Sequence, residues 1–220
     1  MREYDFQDGR RLTVATIYGI GKNYAKHAKE MGGEVPADPI IFIKPPAAYI
    51  PNEGIIQLPP ISNNVHHEVE LVVVIGKDCQ NISRSEARSV IAGYGVGIDV
   101  TMRDIQNSAK SKGEPWAVSK GFHTSAPISM IIPAEKFDNE IPFFALELYI
   151  NGELRQKGNT ADMERPVDLL IEYLSNIFTL RQGDCIFTGT PEGVGKISAG
   201  DKINAELKGY ATLNVAAEAK

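Results

Sequence analysis

Cysteine is scarce, with only Cys79 and Cys185 in 220 residues. That excludes a disulfide-stapled scaffold, and the surroundings of the two share no metal-ligand spacing. Reduced, inert thiols in a cytoplasmic protein are the expectation. Positive charge is not in excess either: 23 Lys and Arg face 28 Asp and Glu, a net charge of −5 at pH 7. The chain therefore lacks the basic footprint of a nucleic-acid binder. No apolar run approaches the roughly 20 residues of a membrane helix. The densest, Leu71 to Ile75, has the size of a strand, so no membrane partner is expected. The charged start Met1-Arg2-Glu3-Tyr4-Asp5 has no apolar stretch behind it, and no secretory leader is expected. Repeats, low-complexity tracts and linker-like segments are also missing. What is present is ordinary globular material, 43% hydrophobic and 23% charged, long enough for a real core. One domain over residues 1–220 is expected.

The local signals are mostly strand signals. Asp8-Gly9 reads as a hairpin turn before a strand from Thr13 to Ile20. Strands are expected at Ile40 to Ile43, Val65 to Ile75 and Tyr94 to Val100, then at Phe144 to Ile150. Asn151-Gly152 is a hairpin turn with Glu153 to Gln156 returning. Cys185 to Thr188, Lys202 to Leu207 and Ala211 to Ala216 complete the set. Helices are expected at Asn23 to Met31, from Ser83 to about Ile91 behind a capping box, at Thr101 to Lys110, and at Pro166 to Ile177. Strands outnumber helices and do not alternate regularly with them. The pattern excludes a doubly wound sheet and gives a β-rich α+β fold.

Three motifs nearly match and fail. Gly189-Thr-Pro-Glu-Gly-Val-Gly-Lys196 has one residue too many for a phosphate loop, and Ile197 stands where Ser or Thr is needed. Gly93-Tyr-Gly-Val-Gly97 runs into a strand rather than opening a helix, so it is no dinucleotide fingerprint. His67-Glu68 lacks the second histidine of a zinc-protease helix, since Leu71 stands there.

The carboxylates are more informative. Glu68 and Glu70 sit two apart in an apolar strand, so alternation points both to one face, followed by Val72 and Val74. Two adjacent like charges repel unless a cation accepts both, and Mg2+ suits an all-oxygen site. The same spacing also fits an exposed strand end with solvated glutamates. Asp99 ends a second apolar strand, either as a third ligand or as an N-cap for the helix at Thr101. His27 and Glu30 lie three apart on one helix face. They suit a general base and its orienting carboxylate, or a surface pair on a lysine-rich helix. Lys120, after Trp116-Ala-Val-Ser119, offers a cation to an anionic substrate, though one lysine alone decides nothing.

Several ordered segments resemble the fumarylacetoacetate hydrolase family. They are Gly21-Lys-Asn-Tyr-Ala-Lys-His-Ala-Lys-Glu30, Phe42-Ile-Lys-Pro-Pro46, His67-Glu-Val-Glu-Leu-Val-Val-Val-Ile-Gly76, Asp99-Val-Thr-Met-Arg-Asp-Ile-Gln106, Asn151-Gly-Glu-Leu-Arg-Gln156 and Thr188-Gly-Thr-Pro-Glu-Gly-Val-Gly195. The likeness runs from about Ile20 to Leu213. Lys112-Gly-Glu-Pro-Trp116 and the stretch from Lys120 to Pro127 are most similar to the short acylpyruvate hydrolase and oxaloacetate decarboxylase branch. The resemblance implies a mixed β-sandwich or β-roll with peripheral helices, a homodimer, and a small 2-oxo acid substrate. It also implies Mg2+ or Mn2+ on Glu68, Glu70 and Asp99, and a catalytic set of His27, Glu30 and Lys120. Residues 21–33 would order as a lid. Arg103, Gln106 and Thr190 match pocket positions and Lys44 matches a lysine close to the metal, and all four are expected to bind substrate. Met102 and Met163-Glu-Arg-Pro166 depart from the residues usual in the family.

What the resemblance implies chemically is one device with three outcomes. A divalent metal chelates the carboxylate and 2-keto oxygen and stabilises an enolate. Water activated by the dyad would cleave acylpyruvates to pyruvate and a carboxylate. Oxaloacetate would lose CO2. A proton merely moved would give tautomerisation or double-bond isomerisation of 2-oxo or 2-hydroxy dienoic acids, or of oxaloacetate. The intact dyad favours hydrolysis and decarboxylation, with the isomerase or tautomerase as the alternative. A non-catalytic 2-oxo acid binder is the third reading.

Overall fold

The computed structural model describes residues 2–220. Two sheets carry most of it. The first has six strands in the order Ile132–Pro133, Ile91–Ile98, Val69–Ile75, Cys185–Phe187, Ile17–Gly21 and Ile40–Lys44. Neighbours are antiparallel except Cys185–Phe187 beside Ile17–Gly21. The second has five strands in the order Glu153–Asn159, Ala145–Ile150, Lys202–Leu207, Ala211–Ala219 and Ile55–Leu58, with only the last pair parallel. The expected β-rich α+β class is what the chain adopts.

The strand Val69–Ile75 shows why its sequence is apolar at every position after Glu70. Val69, Leu71, Val73 and Ile75 face the core shared with Leu146, Leu148, Ala205 and Leu213 of the five-stranded sheet. Val72 and Val74 face a second core with Ile17, Phe187, Ile128 and Tyr4. Both faces are dry, so the alternation of a half-solvated strand is lost. Each such side chain contributes roughly 1.5–3 kcal/mol on burial.

Most element expectations hold, with instructive differences. The expected strand Thr13 to Ile20 is two strands, Arg11–Thr13 in the N-terminal hairpin and Ile17–Gly21 in the six-stranded sheet. The expected strand Val65 to Ile75 breaks at Glu68. Its first part, Val65–His67, pairs instead with Thr101–Met102 and Gly195–Lys196. Thr101 therefore lies in a strand, and the helix behind it spans Arg103–Lys112. The Ser83–Glu86 capping box forms, but what it caps is a 3-10 helix, Arg84–Val90. Asn151 and Gly152 take φ of 53° and 82°, the left-handed pair that a two-residue hairpin turn demands. Among the described residues no helix is long and apolar enough to cross a membrane.

Candidate active site

The break at Glu68 lies where three strands converge. Glu68 sits between Val65–His67 and Val69–Ile75, and its carbonyl accepts from the Asp99 N–H at 2.8 Å. Glu70 lies one pleat further along, on the same side. Its Oε2 accepts from the Gly189 N–H at 2.7 Å. Gly189 has a φ of 100°, and a Cβ there would come within 2.7 Å of Asn23 Cβ. Only glycine allows both that backbone and that approach. Asp99 follows the end of Ile91–Ile98. It caps no helix; the residue before Arg103–Lys112 is Met102, and no side chain caps that end.

One oxygen from each of Glu68, Glu70 and Asp99 lies within 4.8 Å of the others, and all three residues are buried. The solvated-strand-end alternative is thereby removed. Three buried cations surround the acids. Lys120 Nζ donates to Glu68 Oε2 at 2.7 Å, to Thr101 Oγ1 at 2.7 Å, and to Asp99 Oδ2. Lys44 Nζ lies 2.7 Å from Asp99 Oδ1 and donates to the Ser125 carbonyl at 2.9 Å. Arg103 pairs with Glu68 Oε1 and, through its other terminal nitrogen, with Gln106 Oε1.

The electrostatics follow from burial set against these partners. Burial, then Asp99 and Glu68, push the Glu70 carboxyl well above the usual carboxylate range. Burial also raises Asp99, with Lys120 and Lys44 opposing. Glu68 goes the other way: against its burial, Lys120 and Arg103 hold it well below the usual range. Lys120 is raised despite burial because Asp99 and Glu68 favour its charge, whereas burial lowers Lys44. Three clustered carboxylates offering only hard oxygen donors fit Mg2+ or Mn2+, and a cation would relieve the strain on Glu70.

His27, Glu68, Glu70, Arg103, Gln106, Lys120 and Thr190 line one cavity. His27 lies on the short Ala25–Glu30 helix, with its Nδ1 3.2 Å from Glu30 Oε2. His27 is buried and reaches the cavity, so the pair is not a loose surface contact. Glu30 stands behind His27 and does not line the cavity. Lys44 is likewise brought to the acids but not to the cavity. It is fully buried behind Asp99, so the expected substrate contact is corrected to a contact with Asp99. Lys120 lines the cavity as expected, yet its ammonium rests on the carboxylates, with the Phe42 ring 4.7 Å away. Sequence reasoning missed Asn23, whose amide donates to the carbonyls of Thr188 at 2.8 Å and Arg165 at 3.0 Å. It also missed Gln156, whose Nε2 donates to Thr190 Oγ1 at 2.9 Å.

Residues 16–216 match the family described as fumarylacetoacetate (FAA) hydrolase C-terminal. The oxaloacetate tautomerase YcgM of Escherichia coli is 44% identical over 197 residues, which cover 90% of each chain. The mitochondrial oxaloacetate decarboxylase of Dictyostelium discoideum is 44% identical over 201 residues, 91% of this chain and 92% of that protein. A crystal structure of fumarylpyruvate hydrolase from Pseudomonas aeruginosa, in complex with Mn2+ and pyruvate, superposes with a TM-score of 0.93. It shares 34% identity, covering 100% of this chain and 96% of that one. With sequence, fold and carboxylate cluster in agreement, the chain belongs to the fumarylacetoacetate hydrolase family.

Proposed function

We propose that this chain is a divalent-metal-dependent enzyme that enolises small 2-oxo acids, with oxaloacetate tautomerisation as its main reaction. The observation that carries the reading is that two carboxylates of the buried three-acid set, Glu68 and Glu70, share one cavity with a histidine held by its own carboxylate, while Asp99 completes the set from behind the cavity wall. The tautomerase and decarboxylase names of relatives at 44% identity support the substrate. Hydrolysis of acylpyruvates is the second reading, favoured by the dyad and by the likeness to a fumarylpyruvate hydrolase.

The roles divide as follows. Glu68, Glu70 and Asp99 would hold Mg2+ or Mn2+, which when bound polarises the 2-keto group as a Lewis acid. Glu30 accepts the Nδ1–H of His27 and leaves Nε2 with its lone pair as the base. In tautomerisation Nε2 takes a proton from carbon 3. The C–H electron pair becomes the C2=C3 bond, the carbonyl π pair moves onto the 2-oxygen, and that oxygen takes a proton from water while His27 releases the one it abstracted. In hydrolysis the same nitrogen takes its proton from the attacking water. Lys120 and Arg103, at the cavity wall, meet the negative charge developing on oxygen.

Charge balance supports an anionic ligand. The acids Glu68, Glu70 and Asp99 are formally cancelled by Lys44, Lys120 and Arg103. A bound dication, with Lys22 and Lys110 also lining the cavity, leaves positive charge in excess, which suits an acid such as oxaloacetate.

The test is direct. Purified protein with Mg2+ is given the enol and the keto form of oxaloacetate, and the approach to equilibrium is followed by ultraviolet absorbance. Acetylpyruvate cleavage and CO2 release are assayed beside it. Tautomerisation faster than the other two supports the leading reading. Acetylpyruvate cleavage as the fastest reaction supports the second, and no turnover of either acid with Mg2+ or Mn2+ rejects both.

A further inference from the structure

The return strand Glu153–Asn159, at the edge of the five-stranded sheet, leaves Leu154 49% exposed while burying Gln156 to 1%. Burying an amide while a nearby leucine meets water reverses the usual economy of a strand, and the amide must then find partners. A bulge produces the reversal. Leu154 pairs with Tyr149 and Gln156 with Leu148, so Arg155 is the extra residue and the strand is re-aimed.

The amide of Gln156 is fully engaged, and its orientation is fixed by two backbone groups that each have one role. Oε1 accepts from the Val69 N–H at 3.0 Å, and Nε2 donates to the Pro191 carbonyl at 3.0 Å. The two remaining contacts are then determined. His67 Nδ1, 2.8 Å from Oε1, carries a proton. Thr190 Oγ1, 2.9 Å from Nε2, is an acceptor. The hydroxyl proton of Thr190 must therefore point away from Gln156. Thr190 is buried against the cavity it lines, and among the described residues no acceptor takes that proton. Its β-branched side chain has little freedom to turn elsewhere.

We propose that Gln156, backed by His67, is a positioning residue that fixes the Thr190 hydroxyl as a hydrogen-bond donor to a carboxylate of the bound acid. The inference rests on the 2-oxo acid reading above. A plainly structural amide would hold the strand in place but would have no reason to act through Thr190.

Polarity gives the test. Glu in place of Gln156 is nearly isosteric but offers only acceptors once ionised. It would draw the Thr190 proton to itself and turn the hydroxyl lone pairs toward the cavity. The probe is oxalate, titrated calorimetrically with saturating Mg2+, and thermal melting confirms that each variant folds. A hydrogen bond to a charged acceptor sets the expected scale, so Thr190→Val should weaken oxalate roughly 10- to 100-fold. Gln156→Glu should weaken it at least as much, and Thr190→Ser should keep the wild-type affinity. In the Thr190→Val background, Gln156→Glu should add no more than about twofold, because its target is gone. If Gln156→Glu does not fold, Gln156→Met carries the same cycle, with its loss confined to the Thr190 background. Wild-type affinity in the folded Gln156 variant, or equal losses in both backgrounds, would overturn the proposal and leave the 2-oxo acid reading standing. Wild-type protein that does not bind oxalate with Mg2+ or Mn2+ would overturn both.

Discussion

Glu30 Oε1 accepts a hydrogen bond from the backbone N–H of Gly193 at 3.0 Å, while Glu30 Oε2 sits 3.2 Å from His27 Nδ1. One carboxylate thus ties the Ala25–Glu30 helix to the loop carrying Thr190 and also sets the tautomer of the imidazole that faces the cavity. The contact that anchors the helix to that loop is thus made by the same carboxylate that orients the imidazole.

That coupling separates the chemistries by their need for a base. His27→Ala should slow tautomerisation and acylpyruvate hydrolysis by roughly 10²–10⁴-fold, the usual worth of a general base. Decarboxylation of oxaloacetate needs no proton abstracted and no water activated, so it should fall less. Glu30→Gln leaves the imidazole in place but swaps its charged partner for a neutral one, and should give a milder version of the same pattern. The measurement is the ratio of the three rates in each variant. A ratio unchanged from wild type would mean that the dyad does not serve as the base.

The carboxylate cluster predicts a metal dependence readable without turnover. A cation that binds only the folded chain stabilises it by mass action. Mg2+ or Mn2+ should therefore raise the melting temperature of the wild type. Glu70→Gln and Asp99→Asn should abolish that rise together with activity, since a hard cation missing one ligand is held loosely. Chelator should silence the wild type, and Mg2+ or Mn2+ should restore it. Full activity in chelator would count decisively against the metal mechanism.

Legibility in the sequence followed the range of the interaction. The shared face of Glu68 and Glu70 was readable because strand alternation is local, and so was the turn at Asn151-Gly152. The interruption at Glu68 was not readable, because both halves of the run are apolar and only their different partner strands distinguish them. The 3-10 form of Arg84–Val90 was hidden for a related reason, since a capping box marks a start and not a pitch. The placement of Lys44 behind Asp99 joins residues 55 apart in sequence through separate strands, which no local pattern reports. Gln156 had a weak local signal at best, since a polar residue in an edge strand normally implies solvent.

Acid stability should have an identifiable contributor far from the site. Glu147 accepts from Lys208 Nζ at 2.6 Å and Tyr149 Oη at 2.7 Å, with Lys157 Nζ at 3.3 Å. Lys208, then Tyr149, hold its carboxyl down to about 2, from an ordinary value of 4.5. The folded value lies below the unfolded one. The contribution to stability is therefore complete above the unfolded value and is lost as pH falls toward about 2. Glu147→Gln should melt below wild type at neutral pH, with the gap closing between about 4.5 and 2. Both lysines are largely exposed, so the gap should be modest and shrink in high salt. A gap independent of pH would assign the effect to packing instead.

Arg165 holds both ends of the segment that carries the dyad. Its backbone N–H donates to Asn23 Oδ1 at 2.9 Å, and its carbonyl accepts from Asn23 Nδ2 at 3.0 Å. Its guanidinium donates to the carbonyls of Pro36 and Ala37, the latter at 2.8 Å. Residues 23–37 thus leave and rejoin the fold at one residue, within the Met163 to Pro166 stretch where the chain departs from family usage. The backbone contacts to Asn23 survive any side-chain substitution, whereas the contacts to Pro36 and Ala37 do not. Arg165→Ala should therefore free one end only. Amide exchange should accelerate over 31–37 and less over 23–30, because local opening follows the weakest restraint. The melting temperature should change little, since no core residue is touched. A looser segment holds His27 over the cavity for less of the time, so KM for the acid should rise more than kcat falls. Arg165→Lys, with a single donor group in place of the planar fork, should lie between. Exchange over 31–37 unchanged in Arg165→Ala would mean that this end of the segment does not depend on the guanidinium contacts to Pro36 and Ala37.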